Sequence, residues 1–252
     1  MNETDTNIIR MVDRACIILK CLYENKDSTS ISALSKDLEL PKANVFRILY
    51  TMQQHGVVEK EMDTDLYRLG KELIKYGEKV NYDNNIVELS KHHMRNTAQK
   101  IGETINIGIE HDGSIITLHS EEGEKSVLVS RLIPVAELHC SSMGKLILSE
   151  MNEAKRQRYF SQELNKRTVN TIIDYAMFEE ERVKILTEDM SFDREEYDYG
   201  LSCIATPVRD SSERIVAMLS VSGPTTRLEF KGLKYIIDEL KKLTKLVENE
   251  MI

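Results

Sequence analysis

Nowhere does this sequence run to roughly 18 consecutive apolar residues, the length that a membrane-spanning helix needs. Its first residues, MNETDTN, are polar and lack the apolar centre of a secretory signal. These two absences lead us to expect a cytoplasmic protein with no membrane partner. Cysteine is scarce as well. Cys16, Cys21, Cys140 and Cys203 form no CxxC pair and no dense cluster, which excludes a disulfide framework and a zinc knuckle and leaves free thiols. Cys16 and Cys21 would point away from each other on a helix, so they make a poor redox pair. His92 and His93 are adjacent, face different directions on a helix, and have no nearby thiol or carboxylate to complete a ligand set. No metal and no cofactor is expected. The types needed for a thiol enzyme are present in Cys203, His139 and Asp193 as nucleophile, base and orienter. However, Cys203 lies inside a strand pattern with no sharp glycine-flanked turn around it. A thiol-dependent enzyme is therefore the alternative reading, and no enzymatic activity is expected. The most informative absence is local: between Leu40 and Val58 there is no acid at all.

That acid-free stretch lies inside residues 31–70, ISALSKDLELPKANVFRILYTMQQHGVVEKEMDTDLYRLG. The segment reads as a short helix, a tight turn, a second helix and two strands joined by a polar hairpin, the order of a winged helix-turn-helix. Pro41 suits the start of the second helix, because its missing N–H is one of the unpaired donors there. From Lys42 onward, Val45, Ile48, Leu49 and Met52 share one face and leave Asn44, Arg47, Thr51 and Gln54 on the other. Carrying Lys42, Arg47 and His55 but no acid, this helix can approach phosphates and base edges without repulsion. Gly56 suits the helix C-cap, a strand opens at Val57 and Val58, and Asp63-Thr64-Asp65 supplies the turn. Arg68, with Lys60, is then expected to grip backbone from the wing. The expected DNA-binding residues are Lys42, Asn44, Arg47 and Arg68, with double-stranded DNA as partner.

A chain of 252 residues that is 41% apolar can build two cores. The net charge of −8 looks wrong for a DNA binder until it is divided. Residues 1–80 hold 12 Lys and Arg against 13 Asp and Glu, net −1, and the remaining residues hold 22 against 29, net −7. Affinity for DNA must then come from a few placed cations and from pairing of subunits rather than from a basic field. We expect a winged helix-turn-helix domain over 1–80, a linker helix over 81–103, and a second domain over 104–252. The first helix starts near Met11 with a stripe of Val12, Ala15, Cys16, Leu19 and Leu22, which makes Cys16 a core residue. Residues 71–80 and the turn-rich NYDNN read as a hinge ahead of a long helix. Ile105, Ile107 and Ile109 then alternate with polar positions, and His111-Asp112-Gly113 turns the strand back toward Leu118. A third strand is expected over 127–133. A helix follows, capped by Ser141 or Ser142, then two charged helical stretches near 152–164 and 178–190. A second hairpin is formed by GLSCIATPV and RIVAMLSVSG, and one amphipathic helix runs from Phe230 with Leu233, Ile236, Ile237, Leu240, Leu243 and Val247 inward. The fold class is α+β.

These pieces, taken together, resemble the IclR family of bacterial transcription regulators over nearly the whole chain. The resemblance rests on PKANVFRIL, LYRLG, LHCSSMGK, DREEYDYGLSCIATPV and LSVSGP, in that order. It implies a GAF-like effector-binding domain after the linker helix, and homodimers that often pair into tetramers. It also implies control of a catabolic operon, by repression or activation, through a small organic or sugar acid. Carried over by residue, the effector site would comprise Ser142, Met143, Asp193, Cys203, Ser220 and Ser222. The chain departs from the family pattern at Ser142 and Leu146, where smaller residues are usual, and at Glu213, where glycine is common. The residues themselves support such a site. Ser220 and Ser222 project from one strand face, an odd choice for a face sealed by aliphatics. A helix N-terminus at Ser141-Ser142 offers backbone N–H groups to a carboxylate. No arginine is among these residues, so a small carboxylate effector would be held by N–H groups and hydroxyls.

Overall fold

Apolar residues spaced for helices, then for strands, divide this chain into two bodies. The computed structural model describes residues 8–25, 28–83, 85–123 and 134–251. One unit ends at Asp83 and the other starts at Asn84.

The first unit holds α1 (Arg10–Glu24), α2 (Ile31–Asp37), α3 (Lys42–Gln54), β1 (Val58–Lys60), β2 (Tyr67–Leu69) and α4 (Glu72–Asp83). The side chain of Ser30 caps α2 by accepting from the Ala33 N–H at 3.1 Å. Pro41 occupies the N-cap of α3. The predicted inner face of α3, Val45, Ile48, Leu49 and Met52, is buried with Ile18, Leu22, Leu34, Val58 and Tyr67 in one core. β1 and β2 pair antiparallel, with Glu59 opposite Arg68, so the helix-turn-helix is followed by its wing.

Two expectations fail here. Cys16 is exposed, as is Val12, because α1 packs through Ala15, Ile18, Leu19 and Leu22 instead. The helix has more apolar residues than one face can bury, so its period fits two stripes and only packing selects between them. The hinge expected over 71–80 is helical, as the body of α4. That stretch contains no proline to stop it, and a Glu72–Lys75 pair at 2.9 Å supports its first turn.

The second unit contains α5 (Asn85–Ile101), β3 (Thr104–His111), β4 (Ser114–Glu121), β5 (Val135–Glu137), α6 (Ser142–Glu150), α7 (Glu153–Phe160) and α8 (Tyr175–Glu188). These are followed by β6 (Ser191–Arg194), β7 (Leu201–Arg209), β8 (Ile215–Pro224), α9 (Thr225–Lys231) and α10 (Leu233–Glu250). The strands make one six-stranded sheet in the order β5-β4-β3-β8-β7-β6, antiparallel throughout. This is the GAF-like α+β arrangement. Ile105, Ile107, Ile204, Leu219 and Val221 share a core with residues of α5 and α10. Ile115, Ala205 and Met218 share another with residues of α6 and α8. The first hairpin turns at Asp112 and Gly113, both with positive φ, as a two-residue turn between twisted strands requires.

The strand expected over 127–133 lies outside the described residues. The two charged helices run over Glu153–Phe160 and Tyr175–Glu188, the first ending earlier and the second lying a few residues earlier than their charge patterns suggest. The single helix expected from Phe230 is two helices, broken at Gly232 with φ +91°. That backbone conformation strongly favours glycine, and beyond the break Leu233 is exposed. Among the described residues, no helix is long and apolar enough to cross a membrane.

Candidate functional site

The outer face of α3 carries the first candidate site. Lys42 and Arg47 are exposed and Asn44 is half-buried. The backbone carbonyl of Arg47 accepts the Thr51 hydroxyl at 2.9 Å. Two residues overlooked in the sequence stand beside Arg47: Phe46 and Tyr50, 49% and 54% exposed. Their ring centroids are 6.1 Å apart. The helical period does leave both off the buried face; only their apolar character hid them from a search for polar contacts.

The wing differs from expectation. Arg68 is not a free cation: its guanidinium reaches Glu59 at 3.2 Å and Glu61 at 3.9 Å. Lys60 pairs with Asp65 at 2.5 Å. Glu59 lies below the usual carboxylate range, chiefly because it accepts the Lys71 N–H, with Arg68 adding to the effect. Hydroxyls of Ser28 and Thr64 do the same for Glu61. The wing cations are thus engaged by acids of their own hairpin. Exposed pairs of this kind are held only weakly against solvent, so a phosphate can still compete for them.

The second candidate site is the sheet face beneath α6. The register aligns Asp193 with Cys203 and Cys203 with Ser222. In the next row, Ser120 faces Asn106, Asn106 faces Ser220, Ser220 faces Ala205, and Ala205 faces Ser191. Rows two residues apart share a face, so Asp193, Cys203, Ser220 and Ser222 come together. Asn106, Ser120 and Ser191 join them, although the sequence reading did not select these three; the polar positions alternating with isoleucine on β3 were the available signal. Ser120 donates to Asn106 at 2.7 Å, Asn106 donates to Ser222 at 3.0 Å, and Ser222 donates to the Cys203 sulfur at 3.1 Å.

Ser142 and Met143 begin α6 above this face. Ser141 caps the helix by accepting the Gly144 N–H at 3.1 Å, and Ser191 donates to the Ser142 carbonyl at 2.5 Å. Gly144 has to be small here: a Cβ would lie 2.3 Å from the Leu138 Cα. The N–H groups of Ser142 and Met143 precede the first intrahelical bonds.

Lys145 and Glu196 lie next to these residues and were also missed. Lys145 is fully buried and donates to Glu196 at 2.5 Å, and Glu196 is 4% exposed. The other Glu196 oxygen, Oε2, has no hydrogen-bond partner among the described residues. A buried pair gives little net stability, yet breaking one typically costs about 3–5 kcal/mol through the charge left behind. Asp193, 1% exposed, accepts the N–H groups of Glu196 at 2.7 Å and Tyr197 at 3.3 Å. It therefore serves first as the cap of that turn. Burial, with Glu196 adding to it, pushes its carboxyl up to about 7.

The residues of the thiol-enzyme alternative are otherwise occupied. His139 donates from Nε2 to the Asn165 carbonyl at 3.0 Å, and its Nδ1 accepts the Tyr159 hydroxyl at 3.0 Å. Burial, followed by the nearby Asp193, pushes the Cys203 thiol up, against the direction a thiolate nucleophile needs. Glu137, His139 and Cys140 bring possible ligand atoms within 4.8 Å of one another. Glu137 already faces Arg167 at 3.8 Å, and burial pushes Cys140 up to about 12, so the trio is a paired network as it stands.

Comparison with known proteins agrees with this fold. The family model for the bacterial transcriptional regulator IclR C-terminal region matches residues 79–248, and the model for the IclR helix-turn-helix domain matches residues 11–61. The chain is 28% identical over 242 residues to the HTH-type transcriptional regulator BhcR of Paracoccus denitrificans (strain Pd 1222), covering 94% of this chain and 86% of the relative. It is also 28% identical over 243 residues to the DNA-binding transcriptional repressor YiaJ of Escherichia coli (strain K12), with the same coverage of 94% and 86%. Among solved structures, Thermotoga maritima IclR matches with a TM-score of 0.71 at 26% identity, covering 96% of this chain and 99% of that one. An IclR homolog from Microbacterium hydrocarbonoxydans, complexed with 4-hydroxybenzoate, shares the fold with a TM-score of 0.81 at 17% identity, covering 95% and 98%.

Proposed function

The chain belongs to the IclR family, a family of DNA-binding transcriptional regulators rather than enzymes, and from that premise we propose a cytoplasmic repressor of a catabolic operon, released by a small carboxylate. The observation that carries the reading is the pairing, in one chain, of an acid-free exposed helix face on α3 with a polar sheet face under α6. Lys42, Asn44 and Arg47 meet operator DNA, and Arg68 contributes once a phosphate displaces its wing acids. The effector lies against Ser142, Met143, Asp193, Cys203, Ser220 and Ser222. Its carboxylate takes the N–H groups at the start of α6, where the helix dipole favours an anion. The 4-hydroxybenzoate bound by one structural neighbour is a molecule of this class.

The test begins with a thermal-shift screen of small carboxylic and sugar acids, because a ligand that binds only the folded state raises the melting temperature. Operator affinity is then measured with and without the acid that shifts melting. A coupling of about 1–3 kcal/mol is expected, and operator DNA must change acid affinity by the same factor. The double change Ser220→Ala with Ser222→Ala is expected to abolish the response while leaving acid-free operator binding intact. If that variant responds normally, the effector binds elsewhere.

A further inference from the structure

Phe46 and Tyr50 bear on specificity. They sit one turn apart on α3 and flank Arg47 in sequence, each about half exposed, and they contribute nothing to the core beneath the helix. Aromatic rings held in water on a helix with Lys42 and Arg47 and no acid fit one occupant better than others: a polyanion with apolar groups among its edges. The major groove of DNA has that character, with phosphates along its walls and the thymine C5 methyl on its floor. A recognition helix presents its N-terminal residues to base edges, and Phe46 and Arg47 are the fifth and sixth residues of α3.

We infer that Phe46 and Tyr50 are specificity-determining residues that read thymine methyls in the operator half-site. The inference rests on the DNA-binding reading of α3. Arg47 provides a polar contact beside the two apolar ones, so the preferred half-site places thymines next to the base or phosphate that Arg47 grips.

The experiment uses the full chain to enrich duplexes from a random pool. Each thymine of the recovered site is then replaced in turn by deoxyuridine, which removes only the C5 methyl. Loss of about 4-fold in affinity is expected for each contacted methyl. Phe46→Ala and Tyr50→Ala are expected to bind more weakly, each losing the sensitivity at one thymine, with melting temperatures unchanged. Arg47→Ala is expected to weaken methylated and unmethylated sites alike. Uridine tolerated at every position, or full sensitivity retained in both ring variants, overturns the inference while leaving DNA binding standing. If no duplex is enriched at all, the DNA-binding reading falls and this inference falls with it. If the ring variants dissociate the protein in sedimentation while uridine sensitivity persists, the rings cover a second copy of this chain, and the inference is overturned.

Discussion

Asp193 combines two demands on one carboxyl. It accepts two backbone N–H bonds, which favour its charge, while burial and Glu196 oppose that charge more strongly. Its folded value near 7 lies above the unfolded value, so the folded chain holds a proton that the unfolded chain has already released. The contribution of this group to stability is therefore full below about pH 4, declines as pH rises toward 7, and is flat beyond. Asn at this position keeps an acceptor for both N–H groups and cannot ionise. Asp193→Asn is expected to gain on the natural protein by roughly 1 kcal/mol per pH unit between pH 5 and 7, and then to level off. Denaturant midpoints across that range check it, and a pH-independent difference counts against the assignment. At this scale the sequence was partly legible. Ser220 and Ser222 declare a shared face by their spacing, but Lys145 and Glu196 are 51 positions apart. No local pattern distinguishes a cation about to be buried from one left in water.

At the scale of elements, the course and the buried face of α3 were legible because its apolar period, its Pro41 start and its missing acids all agree, although Phe46 and Tyr50 on its exposed side were passed over. The hairpin β1–β2 was legible as an element and misleading as a surface. Cross-strand register brings Glu59 to Arg68, a pairing that requires the register and not merely the strands. It follows that Glu59→Gln combined with Glu61→Gln should free Arg68 and remove two like charges from the approach to DNA. Operator binding is expected to tighten, with the slope of log K against log salt steeper by about one unit for one added phosphate contact. Arg47→Ala is expected to weaken binding by about 1–3 kcal/mol, more than Arg68→Ala does. Titrations at several salt concentrations decide both, and an unchanged slope for the wing variant means Arg68 never reaches phosphate. Glu213 shows why a departure from a family pattern can be read in advance: it holds φ +60°, where glycine would sit without strain. The break at Gly232 was harder to see, since the apolar period runs through it and only the backbone turns.

For the whole molecule, the near-neutral N-terminal part and its few exposed cations imply that one copy grips DNA weakly. A symmetric homodimer on a near-palindromic site doubles the contacts at fixed spacing. Sedimentation is expected to give a dimer or tetramer at micromolar concentration, and footprinting to protect two half-sites. A monomer that protects a single half-site would contradict this.

The row that joins Ser120, Asn106, Ser222 and Cys203 runs in one direction, each group donating to the next. It passes to sulfur, the weakest acceptor among them, and the Cys203 thiol is in turn hydrogen-bonded to the Asp193 side chain. Such a row has polarity, and its last hydroxyl is the one most easily turned elsewhere. A guest that accepts a hydrogen bond takes the Ser222 proton at little cost, since the bond it replaces is one to sulfur. A carboxylate oxygen laid against Ser222 would trade a bond to sulfur for a charge-assisted bond to oxygen, an exchange that an apolar guest of the same size cannot offer.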